Sequence, residues 1–262
     1  MPRAARARSQ SGIYHIMVRG IARQDVFLAG EDRMRYLETL DKTKHRADFD
    51  ILGYCLMGNH IHLLLMESPG ESISQTMHRI GTSYVRWFNS KYDRVGHLFQ
   101  GRFLSVPVEQ DPQFLAVLRY IHQNPVKAGI ASTCLAYPWS SHSAYDQNGF
   151  ERIPSLTNTS LAIGIAGGLR QLLDYLNTPG DDTEETACDI MFQEAFRISD
   201  NELRAFLRSL LPSQSTGILK DMPKDERDSI LRELGTIPGV SFSQIARVTG
   251  LSKATVFRAQ RS

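Results

Sequence analysis

The sequence predicts an α+β fold: a ferredoxin-like, RRM-like split β-α-β domain with an antiparallel sheet, followed by an all-α C-terminal region that ends in a helix-turn-helix. Three observations predict it. Apolar and amphipathic runs through the first half follow the order strand, helix, strand, strand, helix, strand, helix. Within them, Gly58-Asn59-His60-Ile61-His62-Leu63-Leu64-Leu65 reads as a turn leading into a buried strand. Residues 236–262 hold four Lys/Arg and no Asp/Glu, and they carry helical spacing with a Gly at a turn position.

The elements follow in order. Ile13 to Val18 is apolar with β-branched members and stops at Arg19-Gly20, which predicts the first strand. Asp32 to about Arg46 has Met34, Leu37 and Leu40 among charges, a helix opened near Gly30-Glu31-Asp32. Phe49 to Met57 is a second strand, Gly58-Asn59 a turn, and His60 to Met66 a third strand paired antiparallel with it. Ser74 to Ser90 is a second helix with an apolar stripe that takes Trp87 and Phe88 into the core. Phe103 to Val108 is a fourth strand. A third helix runs from Pro112, tolerated in a first turn, to about Asn124, where Pro125 is expected to stop it. Helices on one face of such a sheet would leave the other face open.

Composition narrows the class. Of 262 residues, 42% are hydrophobic and 22% charged, which suits a soluble protein of one large or two modest domains. No apolar run approaches the roughly 20 residues of a membrane helix, and the basic start Met1–Arg8 lacks a signal's apolar segment. Cys55, Cys134 and Cys188 stand apart without metal spacing, as in a reducing, cytoplasmic location. Residues 1–150 carry 17 Lys/Arg against 13 Asp/Glu, while 151–200 carry 3 against 9. Two basic regions about an acidic connector fit two nucleic-acid-facing modules, and ordinary fluctuation is the plainer alternative. Three segments are therefore expected: 1–146, a variable connector at 147–195, and a helical region at 196–262.

His60 and His62 lie two apart on a strand, so they project from one face while Ile61 enters the core. Parallel imidazoles make half of a metal site; unrelated hairpin histidines would look the same. On the third helix Tyr120 and Asn124, four apart, share a face. Tyr120 is either a half-buried aromatic or a nucleophile. Asn124 is either a helix-terminal residue or a ligand beside that nucleophile.

The set Tyr14-His15…Arg19-Gly20, Met57-Gly58-Asn59-His60-Ile61-His62-Leu63, Gly101-Arg102-Phe103 and Tyr120-Ile121-His122-Gln123-Asn124-Pro125-Val126-Lys127-Ala128-Gly129 resembles the single-tyrosine HUH transposases. Among these it is most similar to the REP-associated tyrosine transposases, relatives of the IS200/IS605 enzymes, over about residues 10–146. The resemblance implies that His60, His62 and Asn124 hold a divalent metal, Mg²⁺ or Mn²⁺, and that Tyr120 attacks single-stranded or hairpin DNA. It implies a 5′-phosphotyrosine intermediate that a 3′-hydroxyl can reseal. Arg19, Arg23, Arg102, Arg119 and Lys127 are candidate backbone contacts, with Arg86, Arg94 and His97 as further ones. IS200-type relatives are dimers that trade tyrosines; the added C-terminal region favours a monomer here.

Two amphipathic helices are expected at Ile198–Leu211 and Asp225–Leu234. Ser243 to Arg258 then resembles a helix-turn-helix: Ala246 at the helix crossing, Gly250 in the turn, Val256 in the core and Ser252 as cap. Lys253, Thr255, Arg258 and Arg261 would face duplex DNA, or the pair is an ordinary helical hairpin. The leading expectation is an enzyme that nicks and rejoins DNA. One alternative is a sequence-specific DNA-binding regulator whose metal domain is only scaffold. The other is a metal-dependent phosphodiesterase that uses water.

Overall fold

The computed structural model describes residues 6–146, 149–180, 199–211, 219, 221–237 and 240–260. Backbone contacts divide the chain into two units, 1–192 and 193–262.

In the first unit the predicted order appears as β1 (Ile13–Arg19), α1 (Gly30–Ala47), β2 (Asp50–Leu56), β3 (His60–Met66), α2 (Ile73–Lys91), β4 (Leu104–Pro107) and α3 (Asp111–Lys127). The four strands form one antiparallel sheet, ordered β2-β3-β1-β4. This is the split β-α-β topology. Alternation along each strand sorts its side chains between two cores. Tyr14, Ile16, Val18, Ile61, Leu63 and Leu65 pack with α1 and α2. Leu52, Cys55 and Leu64 pack with Phe114, Leu118 and Ile121 of α3.

The second face is therefore not open, contrary to the sequence expectation. Helix α3 lies on it, and beyond α3 come α4 (His142–Tyr145), α5 (Ser160–Ala166) and α6 (Leu169–Asn177). Ala162, Leu172 and Leu176 of the connector join that core. An apolar sheet face with no cover would leave Leu52, Cys55 and Leu64 in water, which is the force that brings these helices down.

Gly53 sets how closely α3 approaches. A register shift between Ile51 and Gly53 turns this position toward α3. A Cβ there would come within 2.7 Å of Leu118 Cδ1, which is wholly buried. Gly53→Ala is expected to cost about 1–2 kcal/mol by overpacking, read as a lower urea midpoint at unchanged slope.

Helix α3 also runs through Pro125 to Lys127, past the predicted end at about Asn124. Proline removes one donor, and the next turn still closes through Ala128 N–H to Asn124 O at 3.0 Å and Ile130 N–H to Pro125 O at 2.9 Å. The stop comes from Gly129, whose φ of +68° is the left-handed conformation that ends helices.

The second unit is helical: α7 (Asp200–Leu210), α8 (Lys224–Thr236), α9 (Phe242–Thr249) and α10 (Lys253–Ala259). Its core joins Leu203, Leu207, Leu231, Leu234, Ile245 and Val256. Ser199 and Glu202 form a capping box at the start of α7. Gly250 (φ +70°) turns the chain between α9 and α10, and Ser252 Oγ accepts from Thr255 N–H as the expected cap. Arg3, Cys188, Ile198, Arg261 and the acidic run 181–185 lie outside the described residues.

Candidate functional site

The site is built where β1 and β3 pair beneath α3. Antiparallel register sets Arg19 opposite His60 and Met17 opposite His62. His15, Arg19, His60 and His62 all lie on the sheet face that α3 covers, and Ile61 is wholly buried on the other side. The His60 and His62 rings are 5.0 Å apart between centroids. Tyr120 comes down from α3 edge-on to His62 at 5.4 Å and to His15 at 5.9 Å, and it is only 3% exposed. One turn on, the side chain of Asn124 hydrogen-bonds His60, while its Nδ2 donates to Tyr120 O at 3.2 Å. The four residues singled out on two distant segments thus meet in one cluster within a single chain.

Two residues that the sequence reading gave no role orient the imidazoles. Asn59 Nδ2 donates to Arg23 O at 3.2 Å, which turns its Oδ1 to His60 Nδ1 at 2.7 Å. An amide oxygen only accepts, so His60 carries its proton on Nδ1 and a lone pair on Nε2. His62 Nδ1 lies 3.1 Å from His15 Nε2, and both rings are buried. Period-two alternation along β1 puts His15 in phase with Arg19, and this was the available signal. Asn59 was hidden by its turn position.

Burial holds these rings neutral. Desolvation brings His15 and His60 down to about 3, with Arg19 adding to the effect at His60, and carries His62 well below its ordinary value. Each folded pKa lies below the unfolded value near 6.5, so the unfolded chain takes up protons first as pH falls. The stability these rings hold is full above about pH 6.5 and is lost on acidification toward pH 3. His15 alone is expected to cost the metal-free protein about 2 kcal/mol at pH ~5. Urea melts at about pH 7.5 and 5 check this, since His15→Gln should lose that much of the pH dependence.

A divalent ion suits what is present. Neutral imidazoles offer lone pairs, His60 has its far nitrogen held by an amide, and Asn124 adds a side-chain amide. Among the described residues no group of three or more His, Cys, Asp or Glu converges, so any donor set here would be two imidazoles and an amide. Arg19 stands beside them, 6% exposed, its guanidinium lowered by burial to about 10 and so still charged at neutral pH.

The other expected cations divide. Arg23 is half-buried at φ +60°, and Arg102 and Lys127 are exposed. Arg119 is instead 8% exposed with its guanidinium 4.3 Å over the Tyr175 ring. Arg94 is hydrogen-bonded to Gln24 Oε1 at 2.8 Å. His122 is buried against Ser141 Oγ at 2.8 Å, a structural position. In the second unit Lys253 and Arg258 are exposed, and Thr255 is half-buried with its Oγ1 2.8 Å from Ser252 Oγ.

Residues 8–124 match the family model described as "Transposase IS200 like". Over this stretch, somewhat under half of its length, the chain is similar to the IS200-like transposases. All the site residues named above except the second unit's and Lys127 fall inside or at the end of that match. Among solved structures, one described as a REP-associated tyrosine transposase bound to a REP hairpin is 19% identical, with a TM-score of 0.48, over 61% of this chain and 96% of that one. A putative transposase from Deinococcus radiodurans R1 is 16% identical, with a TM-score of 0.34, over 43% and 91%. No curated protein matches the sequence. Among the described residues no helix is long and apolar enough to cross a membrane.

Proposed function

We propose that this chain is an IS200-like transposase, a single-stranded DNA endonuclease and strand transferase in which Tyr120 is the nucleophile, acting on hairpin or unpaired DNA. One observation supports it most: Tyr120, His62, His60 and Asn124 meet within one chain, the tyrosine ring 5.4 Å from the His62 ring. The site needs no second copy of the chain to be complete, which favours a monomer.

In the proposed reaction the Tyr120 oxygen forms a bond to phosphorus as the bond from phosphorus to the 3′ oxygen breaks. The phenol gives up its proton and the departing 3′ oxygen gains one. The product is a 5′-phosphotyrosine and a free 3′-hydroxyl, and the reverse attack by a 3′-hydroxyl reseals the strand without external energy. His60, His62 and Asn124 would hold Mg²⁺ or Mn²⁺, which supplies charge neutralisation at the phosphate. Mn²⁺ suits two nitrogens and an oxygen at least as well as Mg²⁺. Asn59 and His15 fix the ring faces of His60 and His62. Arg19 and Arg23 would contact a phosphate beside His60; Arg102 and Lys127 would hold the backbone further out.

The second unit would dock duplex DNA. Ser252 caps α10, and Lys253 and Arg258 are exposed on it, with Thr255 in its first turn.

A denaturing gel separates this reading from its rivals. The proposal expects a covalent protein–DNA product that disappears in Tyr120→Phe. Binding without nicking would favour the regulator, and nicking that survives Tyr120→Phe would favour water as nucleophile. Asn59→Ala is expected to weaken Mn²⁺ binding about 10–100-fold with little change in melting, as read by calorimetric titration.

A further inference from the structure

A basic groove lies on the opposite side of the sheet from Tyr120. It measures about 660 Å³, between α2 and the loop that leads to β4. Val18, Met77, Phe99 and Phe103 form its apolar walls, and Arg86 and Arg102 stand exposed at its rim. Arg6, His78 and His97 add to the same lining, and none of its lining residues is acidic. Neither Arg86 nor Arg102 has an ion-pair partner among the described residues. Apolar and aromatic walls under unpaired guanidinium groups match a nucleotide, with its flat base and anionic phosphate.

The backbone keeps this groove open. Gly81 lies in the interior of α2, where glycine costs about 1 kcal/mol against alanine. Close packing usually explains such a glycine, but a Cβ here would meet nothing within 4 Å. Gly101, on the other wall, is called for by its own φ of +65°. The loop also reaches the catalytic side: Gln100 N–H donates to Arg19 O at 2.8 Å, and Ile21 N–H to Leu98 O at 3.0 Å.

We propose that the groove is a second DNA subsite, which takes one or two unpaired nucleotides of the substrate, a base against Phe99 and phosphates on Arg86 and Arg102, beside Arg6, whose guanidinium already lies 3.8 Å over the Phe103 ring. This rests on the reading of the chain as a single-stranded DNA enzyme, and it is tested without the covalent step.

The full chain carrying Tyr120→Phe is titrated into a fluorescein-labelled, random-sequence single strand of about 20 nucleotides, with excess random duplex to occupy the helical unit. Adding Gly81→Leu fills the groove and is expected to weaken binding about tenfold or more without lowering the melting temperature. In the Tyr120→Phe parent, 4-thiothymidine DNA should photocrosslink to peptides spanning Met77–Arg86 or His97–Phe103. Unchanged affinity in a folded Gly81→Leu protein would overturn the proposal. So would crosslinks confined to other peptides, or displacement of a bound polyglutamate peptide in place of DNA. Should Gly81→Leu unfold, the crosslinks decide alone. Covalent chemistry that fails in the wild type leaves both readouts intact, so the two proposals fail separately.

Discussion

Tyr120→Phe is expected to abolish covalent attachment to single-stranded DNA and to lower strand cleavage on the order of 10⁴-fold or more, the scale seen when a sole nucleophile is removed. The substitution deletes one oxygen from a ring that is 3% exposed and packed among His15, His62 and the α3 core. Its packing volume is otherwise kept, so melting temperature should change little. Binding of the same DNA should be retained within a few-fold, because contacts to phosphate come from other side chains. A labelled oligonucleotide on a denaturing gel reads cleavage and adduct together. Loss of cleavage with loss of binding would mean a damaged site and would not identify the nucleophile.

The second large effect is expected at the paired histidines. His60→Ala and His62→Ala should each lower Mn²⁺-dependent cleavage about a thousandfold, since charge neutralisation at the phosphate is worth several kcal/mol. They should differ in stability. His60 is half-buried at the pocket edge, and its removal should cost little. His62 is fully buried and partners His15, so His62→Ala opens a cavity beside a ring that loses its hydrogen bond. That should cost about 2 kcal/mol or more. Calorimetry with Mn²⁺ and urea melts on both variants test the pair. Equal stability losses with unimpaired ion binding would mean that the histidines only support the fold.

The main elements of the first unit were legible because each carries its period openly. Ile61 between His60 and His62 fixed both the strand and the shared face of the imidazoles, and that placement is what the sheet shows. The shared face of Tyr120 and Asn124 was legible through helical spacing, while their roles came only from the family resemblance. What escaped notice depends on contacts between distant segments. Nothing local says that Leu118 will settle over Gly53, or that α5 and α6 will close the second sheet face. Pro125 was over-read as a stop, since a helix tolerates one missing donor when the following turn is bonded and Gly129 lies ahead. Arg119 looked like a free cation, but Tyr175, more than fifty residues on, covers it. His15 and Asn59 needed the antiparallel register to be recognised at all.

Mass spectrometry of the wild-type protein after reaction with single-stranded DNA and Mn²⁺, followed by nuclease and protease digestion, addresses the nucleophile directly. The account predicts a nucleotide joined through its 5′ phosphate to the peptide that contains Tyr120. A modified peptide carrying any other residue, or nicked DNA with no modified peptide, would contradict it.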